Sequence, residues 1–210
     1  MAVYNRRRRE DMINRYMDLL LKCPGTMDLV LDFTDFDFDD LDLLGAMQQM
    51  RLQRLAINVP LAISTWKLAG LHDPSLLSLT HLDLYQEEAA QQYWCGLATL
   101  PALMRLALLP SVATAILATI VTECTRLELV IVMAYSWMAA SDNTNLVSTV
   151  TDPRVVTMTM EGTHKTDWEL GVSGGDDFWA RAIAFDNRKR SGEIDRDCYV
   201  LDETPTTQPP

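Results

Sequence analysis

The stretch Leu79-Thr-His-Leu82-Asp-Leu84 carries leucine at its first, fourth and sixth positions, the spacing L-x-x-L-x-L. In an extended chain alternate side chains share a face, so Leu82 and Leu84 fall on one side and His81 and Asp83 on the other. Laying the chain in register with this stretch aligns Thr26-x-x-Leu29-x-Leu31, Leu52-x-x-Leu55-x-Ile57, Leu103-x-x-Leu106-x-Leu108, Cys124-x-x-Leu127-x-Leu129 and Pro153-x-x-Val156-x-Met158. Successive segments start 26, 27, 24, 21 and 29 residues apart.

A strand signature of this kind recurring at about 20–29 residues is that of a leucine-rich repeat. The middle segments carry the full pattern and the outer ones are degenerate, as terminal repeats tend to be. Asp40 to Met50, Leu61 to Leu71, Glu87 to Leu97 and Ser111 to Glu123 can each supply a short linking helix, with Ser111 as an N-cap after Pro110. A single repeat cannot bury its apolar face alone, so stacked neighbours must supply the core.

The expected fold is therefore α/β: an irregular leucine-rich-repeat-like solenoid, with a parallel sheet on the concave side and helices on the convex side. Irregularity follows from the position three residues after each last motif residue, where Asn or Cys usually bonds the turning backbone. Here it holds Thr34, Pro60, Glu87, Ser111, Val132 and Glu161.

The flanks complete the plan. Residues 1–24 read as an N-terminal helix, with Met12, Ile13, Tyr16, Leu19 and Leu20 near helical spacing and Lys22-Cys-Pro-Gly25 as its stop. Residues 25–161 form the solenoid, with Trp137 to Thr151 as a polar, flexible loop. Residues 162–194 form a C-terminal cap, in which Gly174-Gly-Asp-Asp leads into the helix FWARAIAFDNRKR, with Gly192 beyond it. Phe178, Ala182 and Phe185 on that helix are expected to seal the last repeat. Residues 195–210 are polar and Pro-rich, the composition of a disordered tail.

A chain of 210 residues with 48% hydrophobic content is sized for one substantial domain. The formal charge of −11 argues against broad nucleic-acid binding. The uncharged run Leu106 to Thr122 is short for a membrane span and contains Pro110. Cys23, Cys95, Cys124 and Cys198 form no C-x-x-C pair and no secretory signal opens the chain, so a reducing compartment, cytoplasmic or nuclear, is expected. The histidines and cysteines lack zinc spacing, and no metal or cofactor is expected. Oligomeric state is not encoded in any pattern found.

Two chemical motifs compete with plainer readings. Gly171-Val-Ser173-Gly-Gly175 matches the nucleophile elbow G-x-S-x-G, and a serine hydrolase using Ser173 is the alternative function. That fold needs its histidine after the serine, whereas His72, His81 and His164 all precede it. Asp35-x-Asp37-x-Asp39 starts like a calcium loop, but Asp40 and Ala46 stand where Gly and Glu are required. An acidic loop, with Phe33, Phe36 and Phe38 as core anchors, fits better. Arg6 to Arg9 read as a solvated helix start.

In the expected register, Asp28, Arg54, His81, Arg105, Arg126 and Val155 stack as one column on the concave face. Val30, Ala56, Asp83, Ala107, Glu128 and Thr157 form the next, followed by a column containing Tyr85. Charges paired across strands would be the ordinary outcome. The functional reading is a face for an unidentified protein partner, built from Arg54, His81, Asp83, Tyr85, Arg105, Arg126 and Glu128, with arginine offering forked hydrogen bonds to acidic groups.

Asp152-Pro-Arg-Val-Val156, Asp167-Trp-Glu169, Gly174-Gly-Asp-Asp-Phe-Trp-Ala-Arg-Ala182, Phe185 and Arg190-Ser-Gly-Glu-Ile194 resemble the C-terminal end of mushroom-type (basidiomycete) fungal F-box proteins. In that family an N-terminal F-box precedes a degenerate leucine-rich-repeat region. The resemblance implies the substrate-recognition half of a cullin–RING ubiquitin-ligase receptor, non-enzymatic in itself, whose F-box holds a Skp-type adaptor. No L-P-x-E-I-like helical start of an F-box is found here. Partner capture by the repeats is thus what the resemblance implies for this chain, and adaptor binding lacks its docking module. A truncated relic would have no partner.

Overall fold

The computed structural model describes residues 14–31, 43–58, 74–85, 96–135 and 152–201. Among the described residues seven strands form one parallel sheet, each beside the next in chain order. They are β1 (Asp28–Leu31), β2 (Arg54–Asn58), β3 (His81–Tyr85), β4 (Arg105–Leu108), β5 (Leu129–Tyr135), β6 (Val155–Met160) and β7 (Val200–Leu201). Residues 14–21 form helix α1, followed by α2 (Leu43–Met47), α3 (Pro110–Glu123), α4 (His164–Val172) and α5 (Phe178–Ser191). Short 3-10 turns at Pro74–Leu76 and Leu97–Thr99 lead toward β3 and β4.

Leucine spacing sets the register of the first four strands. Leu29, Leu55, Leu82 and Leu106 lie opposite one another, as do Leu31, Ile57, Leu84 and Leu108. The side chains of these last three strands enter one core with Met47, Leu117 and Ile120. The leucines that open the motifs, Leu52, Leu79 and Leu103, turn into the same core just before their strands. Burying each such side chain stabilises the fold by about 1.5–3 kcal/mol.

Beyond β4 the register departs from the expected one. Val130, not Leu127, lies opposite Leu106, and Val155, not Val156, lies opposite Val130. The cause is the run Leu-Val-Ile-Val-Met-Ala-Tyr of β5, buried almost throughout on both faces. Such a strand has no polar side to select a register. Leu127 still reaches the core, but from the turn before β5. The one-residue change at β6 moves Val156 and Met158 to the opposite face, where they pack with Ile131 and Met133.

That second face is covered by the chain's own C-terminal segment, the largest departure from the expected open concave surface. Helix α5 lays Phe178, Trp179, Ala182 and Phe185 against Ile131, Met133, Val156 and Met158. It thus lies over β5 and β6, the strands of the last two motif segments. Trp168 of α4 packs on Ala56 and Tyr85 further along. A parallel sheet with both faces covered is the stable arrangement for strands this apolar.

The terminal edge differs too. Val200–Leu201, expected within a disordered tail, pairs with Thr157 and Met158 as β7. At α3 the N-cap is Leu109, with Pro110 in the first turn, where a missing N–H is harmless. The C-terminus of α3 is closed by Arg154, which donates to the carbonyls of Val121, Cys124 and Leu127 and is braced by Asp152 at 2.7 Å. The hydrogen bond from Arg154 holds the Asp152 carboxyl below the usual range. The acidic stretch Asp35 to Asp39, Arg6 to Arg9, His72, the segment Leu61 to Leu71 and the loop Trp137 to Thr151 lie outside the described residues.

Candidate functional site

The C-terminal helices carry polar groups onto the charged end of the sheet. Thr163 caps α4, its hydroxyl accepting from the Thr166 amide in a reciprocal capping box. His164 and Trp168, four residues apart, fall on one helix face and are both buried. The helix ends in a left-handed turn, with Gly174 at φ +83°. There the Gly175 N–H donates to the Leu170 carbonyl at 2.9 Å and the Gly174 N–H to that of Gly171 at 3.0 Å. This is a Schellman closure, and it explains the G-x-S-x-G stretch as a helix stop. The Ser173 hydroxyl donates to the Glu169 carbonyl at 2.8 Å.

Two carboxylates join α4 to α5. Asp167 accepts from the Phe178 amide at 2.6 Å and from Arg181 at 2.9 Å. Asp177 caps α5 by accepting from the Ala180 amide at 2.8 Å, and its other oxygen meets Arg54 of β2 at 2.6 Å. Gly171 makes room for this, because a side chain there would collide with Asp177. The Arg54 guanidinium also lies 4.8 Å over the Trp168 ring, a cation–π contact.

Beside that pair, His164 Nε2 meets the Asp83 carboxylate, and its ring stacks on Tyr85 at 4.9 Å. Tyr85 donates its hydroxyl to the Leu31 carbonyl. A third relay runs along the strand ends. Arg105 donates to His81 Nε2 at 2.7 Å, which requires a lone pair there and puts the ring proton on Nδ1. His81 Nδ1 then donates to Thr80 Oγ1 at 2.8 Å, whose own proton goes to the Gln53 carbonyl at 2.9 Å. Trp179 meets the His81 ring edge-on at 5.1 Å. Burial, then Arg105 and Arg54, push the His81 pKa down to about 4, with Asp177 opposing.

Of the residues singled out from the sequence, Arg54, His81, Asp83, Tyr85 and Arg105 are brought together on one face of β2–β4. They are not an open surface: Asp83 is 1% and Tyr85 6% exposed. Arg126 and Glu128 do not join them. Both are exposed in the turn before β5, with Arg126 donating to the Pro101 carbonyl and the Glu128 carbonyl accepting from Arg190. The three-residue shift of β5 puts Leu129 opposite Arg105 instead.

His164, Trp168, Asp177 and Trp179 complete the cluster and were not selected by any strand pattern. The buried i, i+4 pair His164 and Trp168 was the available signal. Arg54 Nε, Asp83 Oδ1 and Trp179 Nε1 are buried without a hydrogen-bond partner among the described residues. The cluster's ionic and stacking groups engage one another: Arg54 with Asp177 and Trp168, Asp83 with His164, and His164 with Tyr85.

Among the described residues no group of His, Cys, Asp or Glu is arranged to hold a metal ion. No helix among them is long and apolar enough to cross a membrane. Comparison with protein-family models, curated proteins and solved structures returns no match.

Proposed function

We propose that the chain is a non-enzymatic protein-interaction module, an irregular leucine-rich-repeat-like solenoid serving as the substrate-recognition half of an F-box-type ubiquitin-ligase receptor in the cytoplasm or nucleus. The observation that carries the interaction reading is the strand order. Each segment adds its strand beside the preceding one, with Leu29, Leu55, Leu82 and Leu106 in one row. Stacking of this kind builds an extended surface whose outward residues vary without changing the fold. The receptor role rests on the resemblance of residues 152–194 to the fungal F-box proteins.

The partner surface under this reading is the half-buried rim of the charged face, Arg54, His81 and Arg105, beside the covered Asp83 and Tyr85. The test is quantitative capture by the tagged full-length chain, wild type against the double variant Arg54→Glu and Arg105→Glu, with thermal melting as a folding control. A discrete protein retained by the wild type, lost from the folded variant and accumulating in cells deleted for the chain is the expected result. Capture unchanged by the double variant rejects the surface. Labelling of the native protein by a fluorophosphonate, abolished by Ser173→Ala, rejects the non-enzymatic reading.

A further inference from the structure

We infer that Arg105 is an anion anchor at the rim of the sheet, and that it takes the carboxylate of an Asp or Glu side chain on a partner segment. The inference deepens the interaction-module reading and rests on it for its biological setting.

The first ground is a missing counter-ion. Among the described residues the half-buried arginines are Arg54, Arg105, Arg154 and Arg181. Arg54 meets Asp177 at 2.6 Å, Arg154 meets Asp152 at 2.7 Å and Arg181 meets Asp167 at 2.9 Å. Arg105 meets no carboxylate within 4.0 Å among those residues, and its guanidinium is bonded there only to the lone pair of His81 Nε2, at 2.7 Å. Withdrawing part of a cation from water without an opposite charge costs free energy. The other arginines offset that cost through an aspartate, and Arg105 does not.

The second ground is that this cation is held in place. Thr80 Oγ1 donates to the Gln53 carbonyl at 2.9 Å and accepts from His81 Nδ1 at 2.8 Å, which turns His81 Nε2 toward Arg105. Trp179 braces the imidazole edge-on. Burial and the neighbouring arginines keep the ring neutral, so His81 orients Arg105 without neutralising it. A guanidinium already fixed in position loses less freedom when it closes on a ligand.

The surroundings set the charge of the ligand. His81 lies between Arg54 and Arg105 in the strand register, and the buried Leu129 of β5 lies opposite Arg105. Asp177 offsets Arg54, which leaves one positive charge beside an apolar neighbour. A singly charged carboxylate matches it, and the planar fork of arginine can meet both carboxylate oxygens. In a chain of formal charge −11, this cation is a place where an acidic segment is attracted instead of repelled.

The test is an NMR titration of the full-length protein at about pH 7, where a peptide carboxylate is ionised, reading the arginine Nε–Hε signals. The probes are the blocked tripeptide Gly-Glu-Gly, its Gly-Gln-Gly counterpart and inorganic phosphate, each at constant ionic strength. With Gly-Glu-Gly the Arg105 signal should shift saturably, about threefold or more further than that of the exposed Arg126, as expected of a desolvated cation against a solvated one. Gly-Gln-Gly should leave it in place. Arg105→Gln, followed through the His81 ring signals, should weaken binding about tenfold or more through loss of a charge-assisted contact. His81→Leu in a cooperatively melting protein should weaken it too, although Arg105 keeps its charge, as a positioning role requires.

Equal responses of Arg105 and Arg126, equal responses to the Glu and Gln peptides, or binding undiminished by Arg105→Gln overturns the inference. A response to phosphate alone overturns the carboxylate assignment. The titration of the unaltered protein decides independently of any variant's folding. It involves no cellular partner, so loss of the receptor reading and loss of the anchor are separable.

Discussion

Arg54 and Asp177 stand 123 positions apart in the chain and meet at 2.6 Å, with the Asp177 side chain 6% exposed. Arg54→Ala should leave that carboxylate buried without its cation. Truncating one partner of such a pair costs roughly 2–3 kcal/mol, allowing for the partial exposure of Arg54. Urea unfolding should show a lower midpoint at unchanged slope, with part of the loss recovered by adding Asp177→Asn. A midpoint unchanged by Arg54→Ala means the pair contributes nothing.

Gly171→Ala tests the same contact from the other side. A β-carbon there would lie 2.3 Å from Asp177 Oδ2 and 2.8 Å from its Cβ. Overpacking of this kind destabilises by about 1–3 kcal/mol. Gly25→Ala is the control, because a β-carbon at Gly25 meets nothing within 4 Å. Thermal melting should separate the two variants, and equal melting temperatures would contradict the close approach at Asp177.

His81 should make stability depend on pH. Its folded pKa of about 4 lies below the ordinary 6.5 because of burial and the neighbouring Arg105 and Arg54. Between those values the unfolded chain binds more protons than the folded one, so stability rises with pH. The contribution is fully present above about 6.5 and is lost as pH falls toward 4, amounting to roughly 2 kcal/mol after discounting for partial exposure. The unfolding free energy of wild type minus that of His81→Gln should fall across this window. A pH-independent difference would show that the folded ring protonates as easily as the unfolded one.

Asp83 and His164 form the buried pair under α4. Asp83→Ala or His164→Ala alone should cost about 3–5 kcal/mol, because each strands a polar partner. Replacing both by leucine should recover much of that loss, since apolar packing can substitute for a buried pair. A double-mutant cycle in urea supplies the coupling energy. Additive losses would mean that the two side chains do not interact.

Much of the sheet was legible in the sequence. The L-x-x-L-x-L spacing placed β1 to β4 in their observed register, and it grouped Arg54, His81, Asp83, Tyr85 and Arg105 on one face. The helix FWARAIAFDNRKR and its Gly192 stop were equally plain, with the glycine at φ +78°. Legibility ended where polarity ended. Arg126 and Glu128 were misplaced because Leu129–Tyr135 offers apolar side chains to both faces, and every register through it looks alike.

Side-chain alternation by itself determined which residues share a face, because it is local with a period of two. The recurrence of the leucine motif 21 to 29 residues apart pointed to stacked parallel strands. Whether the charged face stands open was decided only in three dimensions. The groups that cover it, His164 on Asp83 and Asp177 on Arg54, come from 81 and 123 positions away. No local spacing encodes such contacts. They arise because the apolar face of β5 and β6 must be covered, and α5, in covering it, brings α4 over the charged end of the sheet.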